Sequence, residues 1–74
     1  MTELSNGTIV SPESIVDGSL LIKGSVCGNN LIYVVIGISK TQLKPYAISS
    51  YLTFDEAKEA IIQINLAMDK ILIS

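Results

Sequence analysis

The chain predicts an α+β fold: a small antiparallel β-meander of three strands, or four with an N-terminal one, packed against a single C-terminal α-helix. Three observations carry this prediction. Leu31-Ile32-Tyr33-Val34-Val35-Ile36-Gly37-Ile38 is β-branched and apolar, with turn residues on both sides. Gly28-Asn29-Asn30 before it and Thr41 to Pro45 after it punctuate neighbouring strand patterns. Thr53-Phe54-Asp55-Glu56 is a capping-box sequence that opens a segment of helical period.

Taken in order, residues 1–7 are small and polar and read as a flexible N-terminal arm. Residues 8–74 read as a single α+β domain. Thr8-Ile9-Val10 is a short strand stopped by Ser11-Pro12. Pro12 suits the first position of a helical turn with Ser11 as its cap, and Gly18 suits the exit. Ser19–Cys27 is the next strand, with a bulge or bend expected at Gly24-Ser25. If Cys27 lies in that strand, it should be a small buried hydrophobe. The third strand runs from Leu31 to about Ser39. Tyr46-Ala47-Ile48-Ser49-Ser50-Tyr51-Leu52 follows, mixed on both faces as at a sheet edge.

The helix is expected from Phe54 to about Leu72. At about 100° per residue, Ala57, Ala60, Ile61, Ile64, Ala67, Met68, Ile71 and Leu72 form one apolar face. Ile62, Leu66 and Ile73 fall on the opposite side, among Asp55, Lys58, Glu59 and Asp69.

Side chains alternate across a strand, so residues 31–38 present Ile32, Val34, Ile36 and Ile38 on one face and Leu31, Tyr33 and Val35 on the other. Both faces are apolar, yet one helix covers only one face. With 74 residues, 49% of them hydrophobic, and a mean hydropathy of +0.51, the chain has more apolar surface than a small core uses. Its single cysteine cannot form an internal disulfide. Oligomerisation is the remaining means of support, a homodimer first. Leu31, Tyr33, Val35, Ile62, Leu66 and Ile73 are the expected interface.

Catalytic chemistry finds little to work with. There is no histidine for a Ser–His or Cys–His pair, and the five glycines match neither a P-loop nor a dinucleotide fingerprint. No loop carries the oxygen-ligand pattern of a magnesium or calcium site, so no metal or cofactor is expected. Asp55 and Glu59 share a helix face, where solvated acids are the ordinary reading. Five lysines, no arginine and a net charge of −2 disfavour nucleic acid as a partner. The strongest small-molecule candidate is Lys40, Lys44, Tyr46, Ser49 and Tyr51, where lysines beside hydroxyl and aromatic groups could hold an anion.

The N-terminus lacks the basic and apolar regions of a signal peptide, and the longest apolar run is too short to span a bilayer. The cytoplasm is therefore the expected compartment, with no membrane partner. Twelve isoleucines with no arginine or histidine suit AT-rich coding sequence. The functional expectation is a small non-catalytic homo-oligomeric interaction protein, of the virus-encoded or mobile-element accessory type, that inhibits or adapts a host macromolecule. A ligand-binding or sequestering oligomer, with its pocket between subunits, is the alternative.

Between Ile9 and Gly28, apolar residues and glycines recur at Gly18, Ile22, Gly24, Val26 and Gly28. In this spacing the run resembles the opening of a bactofilin, which implies β-helical rungs and filament assembly. The resemblance covers about twenty residues and stops at Leu31. The capping box and the long C-terminal helix point instead to the α+β fold.

Overall fold

The computed structural model describes the backbone of residues 1–4 and 6–73 and the side chains of residues 1–4 and 6–69. Among the described residues, five strands and one helix follow in the order β1 (Thr2–Glu3), β2 (Ile9–Val10), β3 (Leu21–Cys27), β4 (Asn30–Ile38), β5 (Pro45–Tyr51) and α1 (Phe54–Ile73). A 3-10 turn at Pro12–Ser14 lies between β2 and β3. Strands β3, β4 and β5 form an antiparallel sheet with β4 at its centre, and β1 pairs with β2 as a separate antiparallel ribbon. The fold is α+β, a meander under one helix, and not a β-helix.

The β3–β4 hairpin turns at Gly28 and Asn29, with Cys27 opposite Asn30. Gly28 has φ +64° at the first central position, as a type II′ turn requires. A two-residue turn fixes the register, so Leu21 lies opposite Ile36 and Lys23 opposite Val34. Pairing continues through Gly24, which faces Tyr33, so the bulge expected at Gly24-Ser25 is not there. The irregularity lies instead between β4 and β5, where Val35 faces Ser49 and Ile36 faces Ala47, leaving Ile48 as the extra residue.

The helix covers one face of the sheet. Val35, Tyr51, Ala57, Ala60, Ile64 and Met68 are buried together there. Ile22, Tyr33, Ile48 and Ile61 pack around them. Gly37 lies in this layer because no side chain fits: a Cβ would stand 3.0 Å from Ile48 Cδ1, 3.2 Å from Ile15 Cγ2 and 3.3 Å from Leu20 Cδ2. The N-cap forms as the sequence predicts, with Thr53 Oγ1 accepting from the Glu56 N–H at 3.2 Å. The return contact differs, since the Thr53 hydroxyl donates to the Glu56 carboxylate at 2.9 Å.

Two readings of the N-terminal region change. Thr2–Glu3, assigned above to an arm, pairs with β2 around a turn in which Gly7 has φ +89°, and Leu4 and Val10 enter the core. At Pro12–Ser14 the Ser11 side chain makes no cap hydrogen bond; Ser14 Oγ donates to the Ser11 carbonyl at 2.8 Å. Ile15 follows, fully buried, and pairs as an isolated bridge with Ser39 beyond the end of β4.

The β4–β5 loop closes through the Leu43 N–H donating to the Ser39 carbonyl at 2.8 Å and the Ser39 N–H donating to the Lys44 carbonyl at 3.1 Å. Leu43 sits there at φ +56°, a left-handed conformation that costs a non-glycine residue about 1–2 kcal/mol. Its side chain is 74% exposed, so little burial offsets the strain. Leu43→Gly should therefore stabilise the fold by about 0.5–1 kcal/mol after the added freedom of the unfolded chain is counted. A thermal melt should rise by roughly 4 °C or more per kcal/mol for a domain of this size.

Candidate interaction surface

The register sorts the sheet into two unlike faces. On the inner face, Ile22, Tyr33, Val35, Gly37, Ser49 and Tyr51 lie toward α1. On the outer face are Leu21, Lys23 and Ser25 of β3, Ile32, Val34, Ile36 and Ile38 of β4, and Ala47 and Ser50 of β5. Lys23 is its only charged residue. The aliphatic row on β4 is half-buried, and Leu21 is 51% exposed. An apolar sheet face this continuous is an unusual surface for a protein to leave in water.

This assignment reverses part of the expected interface. Val35 is 0% exposed beneath α1, and the half-buried Tyr33 packs its ring 5.8 Å from that of Phe54. Val35 belongs to the interior of the chain, and Tyr33 lines its margin on the same side. Lys58 Nζ lies 5.7 Å from the Phe54 ring centroid, a cation–π contact that covers the ring's outer side. Leu31 shares their face but lies near the hairpin turn. There it is 51% exposed opposite Val26, itself 75% exposed. Cys27, at the end of β3, is exposed rather than buried. Ile62 and Leu66 are exposed on the helix, while the Ile73 side chain lies outside the described residues.

The proposed anion site does not come together. Tyr51 is buried on the inner face and Ser49 Oγ donates to its hydroxyl oxygen at 3.1 Å, so both are occupied within the core. Lys40, Lys44 and Tyr46 are exposed at the loop end of the sheet. The Lys40 backbone N–H donates to the Ser14 carbonyl at 2.9 Å, which ties the loop to the 3-10 turn without directing its ammonium to a pocket. Tyr46 borders two shallow hollows, one beside β2 and one against Ser39 and Gln42; neither lysine lines them.

A third hollow of about 390 Å³ lies between the β1–β2 ribbon and α1, between Glu3, Glu13 and Leu66. Gln63 borders it, and its carboxamide oxygen is buried without a hydrogen-bond donor among the described residues. Among the described residues no group of three or more His, Cys, Asp or Glu side chains is placed to hold a metal ion. Among them, too, no helix is long and apolar enough to cross a membrane.

Sequence reasoning recognised the two-faced strand but missed the residue that labels its faces. Once the two-residue turn at Gly28-Asn29 fixes the register, Lys23 lies beside Val34 and marks that face as the wet one. Comparison of the chain with protein-family models, with curated proteins and with solved structures finds no match, so its surface is read from its own geometry.

Proposed function

We propose that the protein is a non-catalytic interaction module that works as a homo-oligomer and binds, blocks or adapts another macromolecule. The observation that supports this reading most directly is the outer sheet face. Among the described residues, its four β4 aliphatics and Leu21 lie outside the core cluster, because α1 and the N-terminal ribbon gather at the other side of the sheet. Burying such side chains is worth roughly 1.5–3 kcal/mol each when complete, and association is the way a folded chain obtains it. The chemistry of the surface agrees: one lysine, two serines and an alanine among the aliphatics offer mainly contact area.

Self-association is the part of this reading that can be measured first. Light scattering coupled to size-exclusion chromatography should give a mass above that of the 7.9 kDa chain, rising with concentration. A single monomeric species up to several hundred micromolar would remove the oligomer from the proposal.

A further inference from the structure

We infer that the outer sheet face is a two-fold homodimer interface in which β3 of one copy lies over β5 of the other. This inference rests on the oligomeric reading above and specifies the surface that performs it. The occupant is a second copy because the face is complementary to itself in relief. Its cross-strand rows read Leu21, Ile36, Ala47 and Lys23, Val34, Ser50, from β3 through β4 to β5. Each row is tall on the β3 flank and low on the β5 flank.

A two-fold axis running along β4, midway between two stacked sheets, sets β4 against β4 and exchanges the flanks. Leu21 then stands over the partner's Ala47 and Lys23 over the partner's Ser50, so each tall flank meets a low one. The same operation places the two Lys23 side chains on opposite edges. There the aliphatic stem can lie across the partner and the ammonium can stay in water.

The size of the face sets the strength to expect. Three strands about 4.8 Å apart and seven residues long at about 3.3 Å per residue cover roughly 14 by 23 Å. With side-chain relief this is on the order of 500 Å² per copy, near the lower limit of specific interfaces. An interface of this size belongs with the weaker, reversible assemblies. The helix stripe is the weaker candidate: its described apolar members are Ile62 and Leu66, set among exposed Asp55, Lys58, Glu59 and Asp69.

The test uses the full chain in a Cys27→Ser background. Leu21→Cys and Ala47→Cys are made separately, mixed and treated with a thiol-reactive bismaleimide long enough to cross the roughly 10 Å between stacked sheets. The mixture should give a covalent dimer joining one chain of each kind, in several-fold excess over either variant alone. With Cys27 replaced, each chain carries a single thiol, so every cross-link joins two chains. In parallel, Ala47→Lys fills the low flank at a site exposed in the protomer. It should lower the dimer fraction at least tenfold while leaving the circular-dichroism spectrum unchanged. Ile62→Lys with Leu66→Lys should leave the dimer intact. A dimer that survives Ala47→Lys and is lost with the helix pair would overturn the face and keep the oligomer. Absence of the mixed cross-link in a chain that still dimerises would also overturn this geometry. A chain monomeric throughout would overturn both.

Discussion

Val35→Lys should prevent folding, whereas Val34→Lys, one residue earlier, should leave the protomer folded. The two valines are adjacent on the same strand but point to opposite faces of the sheet. Val35 is fully buried against α1, in the same cluster as Ile64 and Tyr51. A lysine there loses the burial of valine, about 1.5–3 kcal/mol, and brings an ammonium into a layer with no carboxylate among its buried members. The added desolvation is several kcal/mol, and the sum is comparable with the whole stability of about 5 kcal/mol at the low end for small domains. Val34 lies on the outer face beside Lys23, where a second ammonium reaches water and the protomer should lose about 1 kcal/mol or less. Circular dichroism and amide NMR dispersion distinguish the outcomes. Equal tolerance of both substitutions would show that α1 does not cover the Val35 face.

Ile64→Ala is expected to be the most damaging truncation in the helix. Ile64 is fully buried midway along α1, one turn from Ala60 and two from Ala57. Those neighbours are already small, so they cannot expand into the space a lost isoleucine leaves. The cost should be about 3–4 kcal/mol, inside the range observed for large-to-alanine changes in cores. Ile64→Val should cost about 1 kcal/mol. Urea denaturation would register the change as a lower midpoint at nearly constant slope. A midpoint shift no larger than that of the exposed Ile62→Ala would mean the helix is not held by this residue.

Much of the architecture was legible because local chemistry and pattern agreed. The Gly28 turn, the Thr53 cap and the helical spacing from Ala57 to Met68 each rest on a few adjacent residues, and each is present. What was not legible depended on contacts across the chain. Gly24 suggested a bulge by its residue type, but it lies within regular pairing opposite Tyr33; the extra residue is Ile48, which no single side chain announces. The short β1 strand gave almost no pattern, although Asn6-Gly7 between Leu4 and Ile9 carries the composition of a hairpin turn.

The interface candidates divide along the same line. Ile62 and Leu66 are exposed as helical periodicity predicts. Val35 and Tyr33 could not be placed from alternation alone, because both faces of β4 are apolar. Their placement needed the register that sets Lys23 beside Val34 and Gly37 beneath Ile15, Leu20 and Ile48. The ligand candidates failed for a related reason. Lys44, Tyr46, Ser49 and Tyr51 are near in sequence, but the strand sends Ser49 and Tyr51 under the helix while Lys44 and Tyr46 stay at the exposed end.

The displaced Ile48 has a consequence for how growth stops. Both edges of a three-stranded sheet present unpaired backbone groups, and edge-to-edge addition can repeat without limit into a fibre. Here β5 begins with a proline and carries the extra residue at Ile48, while β3 carries Lys23. Proline removes a donor, the bulge breaks the straight ladder a new strand would read, and lysine makes the other edge unwelcoming to its own kind. Addition at the edges is thereby discouraged, and the apolar surface left open is a face, where a two-fold contact uses itself up in a single step.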